Sequence, residues 1–402
     1  MKSIAIIGYG VVGGGITAVL ETNIAEVKRT VGDDVQVKYI LDLREFPDSP
    51  YADRVVHELQ PILDDPEVSV VCETMGGSHP AYEYSTACMK AGKSVVTSNK
   101  EVVANYGDAL LACAKENGVQ YLFEASVGGG IPVIRSVLTS VACDRIQKVA
   151  GIVNGTTNYI LTKMEKEGCS FEAALSEAQM LGYAEKDPTA DVDGIDAQRK
   201  IIILTALATG VLLNGEDVYA EGIRNLTAED IAAAKKLGGA VKLIAGADTD
   251  GVICARVCPM IVKNDVPLAH IQDVFNGIMV TTSACGDILY YGRGAGRYPT
   301  AGAVIADVCA VLSGAAEREY TPVFAKSDVK PAKFEEIPFA TYIRAECGAA
   351  ELTGLLRDVC GAADVISDEN GTVEVLAEGL TASQLDAIRE KVCVKSALRV
   401  LG

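Results

Sequence analysis

The feature that most restricts the fold is a set of three spaced glycines directly after a short apolar strand at the start of the chain. Residues 3–7 (SIAII) are apolar, and GYGVVG at residues 8–13 and a helical pattern through about residue 20 follow them. In this arrangement the first glycine permits a tight turn, the second lets the backbone approach a pyrophosphate, and the third allows the helix to pack on the strand. The helix N-terminus then receives negative charge. The pattern predicts a dinucleotide-binding Rossmann unit with turn contacts from Gly8, Gly10, Val11, Val12 and Gly13.

The segments that follow predict the rest of a doubly wound parallel sheet. Apolar strand patterns cover residues 35–41, 69–74, 94–99 and 119–126, with helices near 80–91 and 101–117. Strands buried on both faces have such continuous apolar runs, and the series fits a six-stranded sheet. Lys100 follows one of these strands, at the carboxyl edge where open sheets bind ligands. The alternative is a solvated lysine at a helix start, a position that the helix dipole disfavours for cations.

A dense acidic segment lies in the middle of the chain. Residues 182–200, GYAEKDPTADVDGIDAQRK, carry five carboxylates and precede the apolar run IIILTALA. Glycines and a proline indicate a loop at first, whereas the residues from Ile195 onward form a helical pattern with an acidic first turn. Asp196 and Lys200 share a face of that helix because they are four residues apart. One interpretation is a surface ion pair. The other is a buried site for a zwitterion, since five acids beside an apolar helix repel one another without a bound cation.

Composition excludes several classes of protein. The formal net charge of −18 argues against nucleic acid and anionic membranes as partners. Three histidines are too few for a histidine-rich zinc site, and the twelve cysteines contain no CxxC pair, so we expect thiols in a reducing compartment. No apolar run reaches the about 18 residues of a membrane span, and the chain enters its first strand at once, without a signal peptide. We therefore expect a cytoplasmic protein with a small-molecule substrate.

Seven stretches, in this order, resemble motifs of the homoserine dehydrogenase family over essentially the whole chain. They are GYGVVGGG (8–15), ETMGGSHPAYEY (73–84), AGKSVVTSNKEVVA (91–104), FEASVGGGIPVI (123–134), GIVNGTTNYIL (151–161), GYAEKDPTADVDGIDAQRK (182–200) and GRGAGRYPTAGAV (292–304). The resemblance implies an NAD(P)-dependent oxidoreductase that interconverts L-homoserine and L-aspartate 4-semialdehyde by hydride transfer. Such an enzyme serves threonine, methionine and isoleucine biosynthesis.

The resemblance also implies roles for individual residues. Lys100 and Lys200 correspond to the family's two active-site lysines, of which Lys100 also contacts the cofactor. We favour Lys200 as the group that transfers the proton, because oxidation of an alcohol needs a base within reach of the hydroxyl. Two ammonium groups that meet beside a nicotinamide lower each other's pKa toward the working pH. The remaining implied contacts are Asp196 as a catalytic and substrate-binding acid, and Glu185, Asp191, Thr156 and Tyr183 at the substrate. For Tyr183 a packed aromatic in a turn is the alternative.

The choice between NAD and NADP stays open. Asp42 ends the second strand, where an acid binds ribose hydroxyls, and this favours NAD. Arg44 could instead meet a 2′-phosphate. Many family members carry an arginine where this chain has Leu41, so a preference for NADP is in doubt. Gly292 and Thr300 are also expected near the cofactor, in a loop that opens a helix to about residue 313, with Thr300 able to cap that helix.

A monovalent cation is a further implication of the resemblance. Glu124, Val127, Gly129 and Ile131 stand where the family binds such an ion, largely through main-chain carbonyls. Oxygen ligands with one carboxylate suit sodium better than zinc. The alternative is a tight turn that links two domains.

The predicted fold class is α/β with three parts. These are a Rossmann domain (1–130 plus about 300–325), an α+β catalytic and dimerisation domain (131–299) and, after a linker (326–338), a small ACT-like βαββαβ domain (339–402). In this family such a domain often senses an end-product amino acid, here threonine. Residues 353–356, Thr-Gly-Leu-Leu, replace the usual Pro-Gly-Val-Leu ligand loop, so a purely dimerising domain is the alternative. We expect a monofunctional homodimer or homotetramer.

Two other functions are consistent with parts of the sequence. An aspartate semialdehyde dehydrogenase would need a nucleophilic cysteine assisted by a histidine, and no cysteine here follows a strand beside such a partner. A regulator without catalysis would use only the Rossmann and ACT-like modules. The acidic segment that ends in Lys200 argues against it.

Overall fold

The computed structural model describes residues 1–316, 322–325 and 330–402. The predicted linker and the end of the predicted Rossmann segment therefore lie partly outside the described residues. Packing forms two compact units. The first comprises Met1–Gln147, Ile202–Asn214 and the described part of Asn276–Asp328, and the second comprises Lys148–Ile201, Gly215–Phe275 and the described part of Val329–Gly402. The functional domain boundaries stay a prediction.

The bounds of the strands and α-helices in the described residues are as follows. The strands are β1 (Lys2–Ile7), β2 (Val35–Leu41), β3 (Val55–Val56), β4 (Val68–Glu73), β5 (Ser94–Thr97), β6 (Tyr121–Leu122), β7 (Ile146–Ile152), β8 (Tyr219–Ala220), β9 (Gly239–Asp248), β10 (Cys254–Lys263), β11 (Phe275–Thr282), β12 (Gly286–Arg293), β13 (Phe339–Glu346), β14 (Ala363–Glu369), β15 (Thr372–Leu380) and β16 (Cys393–Leu401). The α-helices are α1 (Val11–Thr22), α2 (Ile24–Val31), α3 (Gln60–Asp64), α4 (Ala81–Lys90), α5 (Lys100–Glu116), α6 (Val133–Thr139), α7 (Gly155–Glu167), α8 (Phe171–Met180), α9 (Thr189–Val192), α10 (Ile195–Thr209), α11 (Ala228–Lys236), α12 (Arg297–Leu312), α13 (Ala349–Cys360) and α14 (Ala382–Arg389). None of the helices in the described part of the chain has both the length and the apolarity that a membrane span requires.

The first unit contains a six-stranded sheet in the order β3-β2-β1-β4-β5-β6. Each neighbouring pair is parallel. The order reverses between β1 and β4, as in a doubly wound sheet. This confirms the predicted fold class. The strand predicted at 119–126 is shorter than expected, since pairing ends with β6 and a 3₁₀ turn, Glu124–Ser126, follows.

Helix α12 packs on the same sheet although it lies far along the chain. Ala301, Val304 and Val308 belong to the core that also contains Ile4 and Ile6 of β1. Helices α1 and α12 approach so closely that a Cβ on Gly15 would lie 2.7 Å from the Arg297 carbonyl oxygen. Only glycine fits there.

The second unit contains the strands β7-β9-β10-β16-β13-β15-β14 as successive neighbours, with β8 also paired to β10. Strands β9 and β10 form a long antiparallel ladder, and both are buried along almost their whole length, as their apolar sequences predict. This unit carries the acidic segment on α9 and α10.

The C-terminal residues fold in the predicted order of strand, helix, two strands, helix and strand. Strands β16, β13, β15 and β14 pair antiparallel, and α13 and α14 cover a core of Ile343, Leu352, Leu356 and Val375. Strand β16 also pairs parallel with β10, so this module continues the sheet of the second unit. The residues that replace the ligand loop, 353–356, lie inside α13. The identity of the module as an ACT domain stays a prediction.

Candidate active site

The turn between β1 and α1 has the geometry that a dinucleotide requires. Gly8 has φ = +89°, a conformation that favours glycine. A Cβ on Gly13 would lie 2.2 Å from the Gly8 carbonyl oxygen, whereas nothing lies within 4 Å of a Cβ on Gly10. The turn is therefore closed toward the strand and open at Gly10, where α1 begins at Val11 and continues through Val12. Such an opening lets a pyrophosphate reach the backbone at the helix N-terminus.

Asp42, directly after β2, is held by two neighbours. Its carboxylate accepts hydrogen bonds from the backbone N–H of Tyr9 (2.7 Å) and from Nε and Nη2 of Arg44 (2.9 Å each). The Arg44 guanidinium lowers the pKa of Asp42 to about 2, so this carboxyl is ionised at neutral pH. The Arg44 side chain is 64% exposed and lies at the surface beside the position predicted for the ribose.

Glu73, which the sequence did not indicate, connects β4 to the helix that begins at Lys100. The Glu73 side chain is fully buried, and its carboxylate accepts a hydrogen bond from Thr97 Oγ1 (2.6 Å). Thr97 Oγ1 in turn accepts from the backbone N–H of Asn99 (2.9 Å), and Asn99 Oδ1 caps α5 by accepting from two backbone N–H groups of its first turn. Burial raises the pKa of Glu73 to about 7. Lys100 is the first, partly buried residue of α5.

The structure divides the five acids of the segment into three with local contacts or exposure and two that share a hydrogen-bond network. Asp187 accepts from the backbone N–H of Thr189 (3.1 Å) at the start of α9, a short helix inside the predicted loop. Asp193 pairs with Arg224 (2.5 Å), and Glu185 is exposed. These contacts stabilise the turn. The other two acids, Asp191 and Asp196, enter a shared network.

Asp196 and Lys200 form a buried pair on α10. Lys200 Nζ donates to Asp196 Oδ2 (2.7 Å) and to the Val153 carbonyl oxygen (2.6 Å). The Lys200 and Asp196 side chains are 9% and 6% exposed. The interpretation as a surface ion pair is therefore wrong. Removal of one partner from a buried pair costs roughly 3–5 kcal/mol, because the other charge remains buried without compensation.

Asn154 joins the partly buried Asp191 to the buried Asp196, and the sequence did not single it out. Its Nδ2 donates to Asp191 Oδ1 (2.7 Å) and to Asp196 Oδ2 (2.8 Å). Its Oδ1 accepts from the backbone N–H of Thr157 (2.9 Å) and so caps α7. An asparagine directly before a helix is a recognisable cap signal. The bridge to the acids has no such local signal, since it depends on the fold.

Thr156 and Tyr183 contact each other at the start of α7. Thr156 Oγ1 donates to the Tyr183 carbonyl oxygen (2.7 Å). The Tyr183 ring packs on Tyr159 with 4.9 Å between ring centroids. The packing alternative for Tyr183 thus has a contact in the structure, and a role at the substrate stays a prediction for both residues.

Glu124 is a buried acid that caps a helix. Its carboxylate oxygens accept from the backbone N–H groups of Ile134 (2.9 Å) and Arg135 (2.7 Å) at the start of α6. The Glu124 backbone N–H donates to Asp307 (2.9 Å), which also pairs with Arg135 (2.7 Å). The carboxylate therefore has a structural role whether or not a cation binds.

The predicted cation ligands after Glu124 lie in one turn. Val127 and Ile131 are buried, and Gly129 has φ = +54°. Among the described residues, no group of three or more His, Cys, Asp or Glu side chains could hold a metal ion. A cation at this turn would be held mainly by carbonyl oxygens, a donor set that suits sodium.

Gly292 and Thr300 do not lie in the elements that the sequence predicted for them. Gly292 lies within β12, and α12 begins at Arg297 after Gly296. The backbone N–H of Thr300 donates to the Gly296 carbonyl oxygen (3.1 Å), so Thr300 is already inside the first turn. The prediction that Thr300 caps the helix is wrong. Contacts of Gly292 and Thr300 with the cofactor stay predictions.

The predicted site residues are distributed over both compact units. The glycine turn, Asp42, Lys100 and the Glu124 turn belong to the first unit, whereas Asp191, Asp196 and Lys200 belong to the second. The meeting of Lys100 and Lys200 beside a nicotinamide stays a prediction.

Two protein-family models match most of the chain. The model described as "Homoserine dehydrogenase, NAD binding domain" matches residues 8–124. The model described as "Homoserine dehydrogenase" matches residues 132–309.

Individual relatives agree with the family models. The homoserine dehydrogenase of Bacillus subtilis (strain 168) is 42% identical over 318 residues, which are 78% of this chain and 73% of that protein. The crystal structure of a homoserine dehydrogenase from Thiobacillus denitrificans covers 100% of this chain and 98% of its own, with a TM-score of 0.90 and 33% identity. A hyperthermophilic archaeal homoserine dehydrogenase in complex with NADPH covers 77% of this chain and 98% of its own, with a TM-score of 0.65 and 28% identity.

Proposed function

Because the chain belongs to the homoserine dehydrogenase family, and is an NAD(P)-dependent oxidoreductase acting on a CH–OH group, we propose that Lys200 transfers the proton in its reaction. The substrates are L-homoserine and L-aspartate 4-semialdehyde. The observation that carries this assignment is the burial of Lys200 Nζ between Asp196 Oδ2 and the Val153 carbonyl oxygen. A buried lysine beside a carboxylate is a candidate acid or base.

Oxidation of homoserine removes a hydride from the hydroxyl-bearing carbon and a proton from the hydroxyl, which leaves the aldehyde. A bound nicotinamide supplies the hydride acceptor, or the hydride donor in the reverse direction. Lys200 as a neutral amine accepts the hydroxyl proton, and as an ammonium it returns the proton to the aldehyde oxygen. Asp196 orients Lys200 and stabilises its charged form. The burial of the pair limits the access of water to it.

The substrate ammonium is assigned to the acids of the same segment. Asp191 lies in the network with Asp196 through Asn154, and Glu185 stands at the exposed end of the segment. Two carboxylates and a buried lysine suit an amino acid that carries both charges. Thr156 is proposed to contact the substrate, and Lys100 is proposed to contact the cofactor.

The preferred cofactor is proposed to be NAD. Asp42 is ionised and would accept hydrogen bonds from ribose hydroxyls. The same charge opposes a 2′-phosphate at that place. Arg44 donates Nε and Nη2 to Asp42, so the face of the guanidinium that would bind a phosphate through two parallel hydrogen bonds is turned toward the carboxylate.

A sodium ion is proposed at the turn of Glu124, Val127, Gly129 and Ile131. The support is the buried turn with one carboxylate and several carbonyl groups. The test is thermal unfolding in sodium chloride against tetramethylammonium chloride at equal ionic strength. A higher unfolding temperature in sodium supports the site, and equal temperatures contradict it.

The C-terminal module is proposed to bind threonine, and its βαββαβ order of elements supports this proposal. The chain is proposed to form a homo-oligomer. Isothermal titration of the protein with threonine and analytical ultracentrifugation test the two points separately. An absence of heat, or a monomer at micromolar concentration, contradicts the respective point.

The proposed reaction is tested by initial rates with L-homoserine and either NAD⁺ or NADP⁺. A matched control is 3-amino-1-propanol, which has the same hydroxyl and ammonium spacing but lacks the carboxylate. We expect reduction of NAD⁺ with homoserine and far slower reduction with the control. No rate with homoserine and either cofactor would contradict the assignment of substrate.

A further inference from the structure

Two carboxylates in the second unit share the same side-chain nitrogen. Asn154 Nδ2 lies 2.7 Å from Asp191 Oδ1 and 2.8 Å from Asp196 Oδ2. Carboxylates this close destabilise each other's ionised form. A hydrogen bond to the charged form favours that form, and here one amide group supplies a bond to each acid. The Asn154 side chain is itself buried, so water cannot easily replace it.

The residue is fixed on its other sides as well. Asn154 Oδ1 accepts from the backbone N–H and the hydroxyl of Thr157 (2.9 and 3.0 Å). These bonds orient the amide, so that Nδ2 must face the acids. The preceding carbonyl, that of Val153, accepts from Lys200 Nζ (2.6 Å). Residues 153 and 154 therefore contact both members of the buried ion pair and the second acid.

We propose that Asn154 is a positioning residue of the reaction. It holds Asp191 and Asp196 together in their ionised forms, so that Asp191 faces the substrate ammonium while Asp196 keeps Lys200 in place. The inference rests on the proposed roles of Lys200 and Asp191. It adds a residue that touches neither the transferred hydride nor the proton.

Two substitutions separate this role from the helix cap. Asn154→Ser and Asn154→Asp both retain an oxygen that can cap α7, since serine, aspartate and asparagine are all favourable caps. Asn154→Ser removes the two donors without adding charge. Asn154→Asp is nearly isosteric and places a third carboxylate against Asp191 and Asp196.

The two variants have different expected signatures. For Asn154→Ser, kcat/KM for homoserine falls roughly 10- to 100-fold, as expected for lost hydrogen bonds to charged groups, while KM for the cofactor is unchanged. For Asn154→Asp, the added negative charge stabilises the Lys200 ammonium, so the pH profile of homoserine oxidation shifts roughly one unit toward higher pH. A mere helix cap would move neither quantity.

Asn158→Ser is the matched control, one turn further along α7. Asn158 is also buried, but its Nδ2 donates to the backbone carbonyl oxygens of Ile271, Asp273 and Phe275 rather than to a carboxylate. We expect this variant to lower the unfolding temperature and leave the pH profile unchanged. An unchanged kcat/KM and pH profile in both Asn154 variants would overturn the proposal. Failure of both to fold would also contradict it, because the cap-competent side chains would then not suffice for the fold.

The outcome is distinguishable from failure of the proposed function. If wild-type protein shows no homoserine oxidation, the proposed reaction fails before any variant is compared. If wild-type protein is active, Lys200→Ala is inactive and the Asn154 variants behave as wild type, only the positioning role fails.

Discussion

Among single residues, Asp42 is a case in which the sequence predicted the position of a side chain but not its partner. Its position at the end of β2 follows from the strand pattern, and the structure confirms that strand at Val35–Leu41. The sequence also indicated Arg44 as an alternative contact for the cofactor. It could not show that Arg44 binds Asp42 itself, because that depends on the path of the chain after β2. The cofactor preference therefore depends on a pair of residues.

Asp42→Ser is expected to change the choice of cofactor. The substitution removes the charge that opposes a 2′-phosphate and releases Arg44 to bind one. The ratio of kcat/KM for NADP⁺ to that for NAD⁺ should rise roughly 10- to 100-fold, as for hydrogen bonds to charged groups. Initial rates with both cofactors measure it. The control is Asp34→Ser, directly before β2, where Asp34 forms an exposed ion pair with Lys28. This control should leave the ratio of kcat/KM values unchanged. If Asp42→Ser also leaves the ratio unchanged, the proposed role of Asp42 is wrong.

In the acidic segment, the sequence predicted one contact between side chains and missed another. The helical spacing placed Asp196 and Lys200 on one face, and the apolar residues after them indicated burial, which the structure confirms. Asn154 escaped notice because it is distant in sequence from Asp191 and Asp196. Only the fold brings its amide to both acids. Likewise, Thr300 resembles a helix cap, yet the preceding loop is shorter than the sequence indicates.

At the scale of elements, Glu73 links β4, β5 and the start of α5. The apolar strand patterns predict these elements well, because buried parallel strands leave a strong signal. A fully buried glutamate within such a strand gives no sign of its partner. Its hydrogen bond to Thr97 crosses to the neighbouring strand, and Thr97 then orients the cap of α5. The position of Lys100 thus depends on a carboxyl group one strand away.

Glu73→Gln is expected to remove a pH dependence of stability. Because the folded pKa of Glu73, about 7, lies above its usual value of 4.5, the carboxyl stabilises the fold fully below pH 4.5 and this contribution is lost as the pH rises through 7. Glutamine resembles the protonated form. Between pH 4.5 and 7.5 the wild type should lose on the order of 3 kcal/mol of unfolding free energy relative to the variant. Urea denaturation across this pH range measures the loss, with Glu116→Gln at the exposed end of α5 as the control. If the free energy of unfolding of wild type and of Glu73→Gln depends on pH in the same way, the prediction is wrong.

At the scale of the whole molecule, the C-terminal module is part of a larger sheet. The sequence predicted its order of elements but not the pairing of β16 with β10, since parallel pairing of distant strands leaves no local pattern. The junction contains Arg399, whose guanidinium lies 4.4 Å from the centroid of the Phe334 ring. Arg399 also pairs with Glu221 (3.5 Å). Residues after Glu221 reach the acidic segment, because the backbone N–H of Ile223 donates to the Val192 carbonyl oxygen (2.8 Å).

Arg399→Met is expected to destabilise this junction. The substitution removes a cation–π contact and an ion pair, so the free energy of unfolding should fall by about 1–2 kcal/mol. Chemical denaturation measures the change. Arg389→Met is the control, since Arg389 lies on the surface and pairs only locally with Asp386. Equal free energies of unfolding of the two variants would show that Arg399 does not stabilise the junction between β16 and β10.

The role of the buried pair is tested by the rate of homoserine oxidation by Lys200→Ala, measured together with cofactor binding by fluorescence. Loss of a positioned acid or base costs about 10²- to 10⁴-fold in rate, so kcat should fall by at least about 100-fold. The cofactor dissociation constant should stay near that of the wild type, and Asp196→Ala should behave in the same way. If Lys200→Ala retains the wild-type kcat, the buried pair does not transfer the proton and the proposed mechanism is wrong.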